Sequence, residues 1–154
     1  DRSAEIGELP NGIPDNLMPI LGGVAAKILE KLVVYGDDYE TRDGTCERDY
    51  IHVSDLAAAH VKLLQAECKD NFEVFNVGTG EGVTVFEALA AYSACVGRQL
   101  NFEVGSRRLG DVAVSVASNK KIFERTSWRP KFNFSDACID DFRWRQKIIF
   151  SKNL

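Results

Sequence analysis

Tyr35-Gly-Asp-Asp-Tyr-Glu-Thr-Arg-Asp-Gly-Thr-Cys-Glu-Arg-Asp-Tyr-Ile-His-Val-Ser-Asp55 is the stretch that decides how this chain of 154 residues reads. Two turn signals, Gly36-Asp37-Asp38 and Asp43-Gly44, fold it back on itself. The second leads into Arg48, which opens a β-rich run, Asp49 to Val53, predicted to be a strand. A guanidinium held on a stiff edge suits a phosphate or carboxylate, because it offers two parallel donors and does not lose its charge.

On the N-terminal side, Asn11-Gly12 signals a loop and Pro14-Asp15-Asn16 a helix entrance. Leu17, Ile20, Leu21, Val24, Ile28 and Leu29 then recur at helical spacing and predict an amphipathic helix through Lys31. Pro19 is tolerated in its first turn, and Gly22-Gly23 weakens it while allowing close approach of another backbone. Leu32-Val33-Val34-Tyr35 follows as a short strand. On the C-terminal side, Ser54 is placed to cap a helix with Leu56, Ala59, His60, Leu63 and Leu64 on one side, ending near Lys69-Asp70. His60 reads as a satisfied structural histidine. His52 could serve as a general base by its chemistry, yet no Ser, Cys or Asp stands at triad spacing, so its reading is structural too.

Phe72 to Val77 predicts a buried strand, followed by Gly78-Thr-Gly80-Glu-Gly82 and a capping box, Thr84 to Glu87, opening a helix that stops at Gly97. Strand, glycine loop and helix are laid out as in a dinucleotide fingerprint, but the third small residue is missing and Val83 stands in its place. Leu100 to Val104 predicts another strand, delivering the loop Gly105-Ser-Arg-Arg108-Leu-Gly-Asp111. Taken alone, that loop reads as a solvated charged turn. Ser118 to Arg125 predicts a short capped helix, and Ser135 a last amphipathic helix bearing Ile139, Phe142 and Trp144, with a fraying tail from Lys147 to Leu154.

Composition excludes several classes. With 45% apolar and 27% charged residues the chain is an ordinary globular one, of a size for a single domain. A net charge of −4 with interspersed signs gives no basic field, so nucleic acid is not an expected partner. No apolar run approaches the ~18 residues of a membrane span. Cys46, Cys68, Cys95 and Cys138 show no C-x-x-C pairing, and only His52 and His60 could join them on a metal, so they read as free structural thiols in a reducing compartment. The polar opening Asp1 to Glu8 carries no core pattern, as though the chain started inside a longer fold.

From Gly36 to Val53 the pattern Gly-Asp-Asp-Tyr-x-Thr-x-Asp-Gly-Thr-x-x-Arg-Asp-Tyr-Ile-His-Val resembles the corresponding segment of the UDP-glucose (UDP-galactose) 4-epimerases, which are extended short-chain dehydrogenases/reductases. Arg108-Leu-Gly-Asp111 is similar to the family's Arg-x-Gly-Asp, and Trp128-Arg-Pro-Lys-Phe132 to its Trp-x-Pro-x-Phe turn. The resemblance covers nearly the whole chain but only the family's C-terminal part. It implies an α/β fold: the substrate-binding portion of a Rossmann-fold enzyme without its N-terminal strands, one unit over 1–154 interleaved with the last Rossmann elements near 55–96. It implies that Asn16, Leu17, Val33, Val34 and Tyr35 line the nucleotide end of the site, with Tyr35 stacked on uracil. Arg48 and Arg108 would grip the diphosphate and Asp111 accept from the ribose. Leu109 departs from an acidic position and Ser115 from a bacterial tyrosine, which bears on the sugar's fit.

Epimerisation at the sugar C4 requires NAD and a Tyr-x-x-x-Lys pair. Tyr35, Tyr39, Tyr50 and Tyr92 are followed four residues on by Tyr39, Asp43, Ser54 and Val96, so that pair is absent and this stretch alone is expected to be inactive. The resemblance further implies a cytoplasmic enzyme that is a homodimer at full length. A sister enzyme acting on another UDP-sugar, such as UDP-arabinose, and a non-catalytic truncated nucleotide-sugar binder remain open.

Overall fold

The structure is a computed structural model that describes residues 1–9, 12, 14–67 and 71–152. The loop signal at Asn11, the helix end near Lys69-Asp70, Cys68 and the last two residues of the tail lie outside the described residues. The expected α/β architecture is found. Helices α1 (Leu17–Ala25), α3 (Val85–Val96) and α5 (Phe134–Lys152) pack over a parallel pair, β1 (Leu32–Tyr35) beside β4 (Phe102–Gly105), in the register Leu32 to Phe102. A second sheet runs β3-β2-β5, with β2 (Glu47–Arg48) antiparallel to β3 (Val83–Thr84) and parallel to β5 (Val114–Ser115). Helices α2 (Val53–Gln65) and α4 (Lys120–Thr126) pair beside it.

The main core is built from Leu21, Val24, Leu32, Val34, Ala88, Leu89, Tyr92, Leu100 and Cys138. A smaller one joins Ala59, Ile122 and Trp128. Tyr92 is fully buried and its hydroxyl donates to Asp141, which also takes Arg145, so a polar ring tip is satisfied inside the helical layer. Among the described residues no helix is long and apolar enough to cross a membrane.

The capping box of α3 is present in both directions, and Gly97 ends that helix in the left-handed region at φ 69°. Elsewhere the boundaries move. Helix α1 ends at Ala25, not Lys31, because Lys27 takes φ +59° and the amides of Lys27 and Ile28 close back on Val24 and Gly23. Leu29 then folds over Gly23 and Ile28 is left exposed. The Asp49–Val53 run is not a strand, since pairing stops at Arg48. His52 rather than Ser54 precedes α2, its ring accepting from the Ser54 amide at 3.0 Å. His60 lies on the exposed side of α2, bonded to its own helix at the Leu56 carbonyl, and Leu64 is exposed.

Phe72–Val77 is not a strand, since it pairs with no strand among the described residues, and Phe72 and Val74 are exposed. The Leu100–Val104 strand begins two residues later, at Phe102. Asn119, not Ser118, precedes α4, and Asn133 with Asp136, not Ser135, closes the start of α5 through reciprocal bonds. On α5 the deepest residues are Cys138 and Asp140, while Ile139 is partly exposed. Trp144 turns its ring nitrogen to the Glu8 carbonyl.

Candidate functional site

A cleft of about 460 Å³ opens where β1 and β4 end, the carboxyl edge at which α/β sheets place ligands. It gathers the residues expected to bind the nucleotide: Asn16 and Leu17 at the entrance of α1, Val33, Val34 and Tyr35 along β1, Arg48 on β2, and Arg108 and Asp111 on the loop after β4. Asn16 stands in the cap position of α1 with extended backbone, yet its side chain makes no capping bond, leaving its amide available to the cleft. Tyr35 ends β1 and is 41% exposed. Gly36 then turns the chain at φ +88°, where a Cβ would meet Arg107 at 2.7 Å.

The two arginines lie 60 residues apart (108 − 48) and the fold brings both to Asp111. Arg48 is pinned by its donation to the Glu47 and Val112 carbonyls, at 2.9 and 2.7 Å, with its remaining terminal nitrogen 3.8 Å from Asp111. Arg108 donates to Asp111 at 3.0 Å through Nε and lies over the Tyr35 ring, 4.6 Å from its centroid. Its hydrogen bond to Asp111 raises its pKa further. Two fixed cations and one carboxylate beside a half-exposed aromatic ring form a corner suited to an anion joined to a flat group.

Sequence reasoning missed Met18, Cys46, Tyr50 and Val85, which also line this cleft. Cys46 stands two residues before Arg48, and Tyr50 two residues past it. In extended chain, alternate residues share a side, so both were recoverable from spacing. Burial pushes the Tyr50 phenol up to about 12.

The glycine loop does not fit as a dinucleotide cradle. The amides of Thr79 and Gly80 donate to the Asp49 carboxylate at 2.8 and 2.9 Å, and the Gly78 amide to Asn119 at 3.0 Å. A resident carboxylate occupies the place a phosphate would need. His52 is buried, its Nε2 3.1 Å from Asp140, and belongs to no catalytic set. Among the described residues no cluster could hold a metal, and Cys46, Cys95 and Cys138 are free.

Residues 6–78 match the NAD dependent epimerase/dehydratase family. The UDP-glucose 4-epimerase uge1 of Schizosaccharomyces pombe is 43% identical over 99% of this chain and 43% of its own length. The structure resembles that of UDP-glucose 4-epimerase from Stenotrophomonas maltophila with bound NAD and formylated UDP-arabinopyranose, with a TM-score of 0.92 and 41% identity over 97% of this chain and 45% of that one. It equally resembles UDP-glucose 4-epimerase from Bifidobacterium longum in complex with NAD+ and UDP, at a TM-score of 0.92 and 39% identity, over 96% of this chain and 44% of that one. The chain thus spans less than half the length of the relatives it matches.

Proposed function

We propose that the chain belongs to the NAD dependent epimerase/dehydratase family and is the UDP-sugar-binding part of a UDP-glucose 4-epimerase. The whole enzyme would interconvert UDP-galactose and UDP-glucose. In this reading Arg48 and Arg108 hold the two phosphates, Asp111 accepts from the ribose hydroxyls, and Asn16, Leu17, Val33 and Val34 wall the nucleotide end. Uracil stacks on Tyr35, on the face that the Arg108 guanidinium leaves uncovered. The observation that carries the reading is the convergence of Arg48 and Arg108, from distant segments, on one carboxylate beside Tyr35.

NAD is present in both solved relatives named above, but this chain's residues do not fit it: its glycine loop has Asp49 in the phosphate position and Val83 where a small residue is needed. No Tyr-x-x-x-Lys accompanies the cleft. Hydride and proton transfer are therefore not assigned to these residues, whose part is to bind and orient the nucleotide. We also propose that residues near 55–96 interleave with a Rossmann sheet completed by the rest of the enzyme, and that the whole is a cytoplasmic homodimer.

Calorimetry with UDP tests the assignment. Arg48→Ala and Arg108→Ala should each lose a charge-assisted contact of about 1.5–3 kcal/mol, a roughly ten- to hundredfold weaker affinity. Arg42, tied to Glu47 and Glu87 away from the cleft, should bind UDP unchanged as Arg42→Ala. Equal affinity in all three variants would defeat the proposal.

A further inference from the structure

We propose that Arg107, which stands outside the cleft, is a positioning residue for it, a clasp that holds Tyr35, Arg108 and Arg48 in the arrangement that takes the nucleotide; the inference rests on the UDP-binding reading of the cleft.

Three segments meet at the cleft: the end of β1 with Tyr35, the loop after β4 with Arg108, and β2 with Arg48. Directly after Tyr35 the chain turns at Gly36, whose amide donates to the Gly105 carbonyl at 3.0 Å. The Arg107 stem crosses that turn so closely that a Cβ on Gly36 would meet its Cγ at 2.7 Å. Beyond the turn, the Arg107 guanidinium donates through Nε to the Asp38 carboxylate at 2.6 Å and through a terminal nitrogen to the Asp38 carbonyl. It also lies over the buried Tyr39 ring, 4.1 Å from its centroid. Tyr39 in turn donates its amide to the Gly44 carbonyl at 2.8 Å, so the turn that leads into β2 is tied to the same point.

Arg107 itself does not line the cleft. Its Nε, one terminal nitrogen and one face are committed to Asp38 and Tyr39. The next residue, Arg108, is the one that enters the cleft and lies over Tyr35. Arg107 thus joins the residue after Tyr35 to the residue before Arg108, and acts on the ligand only through its neighbours.

The hydrogen bond from Arg107 holds the Asp38 carboxyl below its usual range, so the pair stays ionised at neutral pH. The two side chains are 48% and 72% exposed, so solvent screens the pair and it adds little to the stability of the fold. Its effect falls on binding instead. Gripping groups that must first be brought together lose affinity to the ordering of their segments, and a clasp made before the ligand arrives avoids that loss.

The test is UDP calorimetry on the wild-type chain, Arg107→Ala, Arg107→Lys, Asp38→Ala and the Arg107→Ala/Asp38→Ala double variant, with Arg108→Ala as reference and a thermal melt of each. Arg107→Ala and Asp38→Ala should melt close to the wild type and bind UDP about three- to tenfold more weakly. The double variant should bind no more weakly than either single one, because both changes open one clasp. Arg107→Lys keeps a donor for Asp38 and should fall between the wild type and Arg107→Ala. If Arg107→Ala is weakened while Asp38→Ala binds as well as the wild type or better, Arg107 meets the phosphate itself and the inference is overturned. A loss of affinity that only tracks a loss of melting temperature, or an Arg107→Lys as weak as Arg107→Ala, overturns it as well. If both alanine variants bind as the wild type does while Arg108→Ala is weakened, the inference falls and the proposed function stands. If Arg108→Ala is not weakened, or the wild type does not bind UDP, the proposed function fails and takes the inference with it.

Discussion

Glu87 offers a quantitative check on how the site's scaffold is held. Its carboxylate accepts from the Thr84 amide at 2.9 Å, closing the capping box, and from Arg42 through Nε at 2.6 Å and through a terminal nitrogen, while Arg42 also reaches Glu47 at 2.7 Å. Glu47 belongs to β2 and Glu87 to α3, so Arg42 ties the strand bearing Arg48 to the helix behind it. The hydrogen bond from Arg42 is the largest cause that lowers the Glu87 carboxyl from 4.5 to about 2. Taken at face value a shift of that size would be several kcal/mol, about 1.4 per unit. The side chains of Glu87 and Arg42 are 45% and 44% exposed, however, so solvent screening brings the contribution to about 1 kcal/mol.

Glu87→Gln keeps an acceptor for the Thr84 amide and removes the charge. It should cost about 1 kcal/mol at pH 7, lowering the melting temperature by roughly 2–4 °C for a chain of this size. The folded carboxyl titrates below the unfolded one. Its stabilisation is thus fully present above about 4.5 and is lost as the pH falls toward about 2. Urea unfolding of both proteins at pH 7 and near pH 2 measures this. A gap between the proteins that persists undiminished near pH 2, or no gap at pH 7, would refute the reasoning.

Asp49→Ala should be the costlier change, about 2–4 kcal/mol, because it orphans amides of Thr79, Gly80 and Ala117 together; chemical denaturation reads the loss directly. The exposed Phe72 and Val74, together with the exposed Val61 and Leu64 of α2, should make the isolated chain self-associate, and sedimentation should show Val74→Lys shifting it toward monomer. A monodisperse wild-type monomer would contradict that. The isolated chain supplied with NAD and UDP-galactose should form no UDP-glucose above a blank, since it carries neither a dinucleotide cradle nor the Tyr-x-x-x-Lys pair; measurable turnover would contradict it.

What was legible from the sequence was local chemistry with a fixed spacing. Thr84 and Glu87 announce their helix because each satisfies the other's backbone, and Gly97 ends it because glycine takes the left-handed turn without strain. Val33-Val34-Tyr35 was readable as a strand from its own β-branched and aromatic residues. The gathering of Arg48, Arg108 and Tyr35 in one cleft was reached through the family resemblance, since no local rule links residues so far apart.

The failures have one physical source, the dominance of tertiary partners over local pattern. Lys27 accepts a left-handed conformation that the sequence does not advertise, so the apolar spacing ran on past the helix to Leu29. His52 caps α2 because its far nitrogen is fixed by Asp140, a residue 88 positions away, a contact that Ser54 cannot match. Phe72–Val77 has the composition of a buried strand, but a strand exists only by pairing, and no partner for it lies among the described residues. Cys46 and Tyr50 carried a signal only through their spacing of two residues from Arg48 on one extended segment, not through any motif.

The most direct measurement is a crystal structure of the chain with UDP bound. The account predicts the diphosphate within hydrogen-bonding distance of both Arg48 and Arg108, the ribose at Asp111 and the uracil stacked on Tyr35. UDP bound elsewhere, or in this cleft with its phosphates turned away from both arginines, would contradict it.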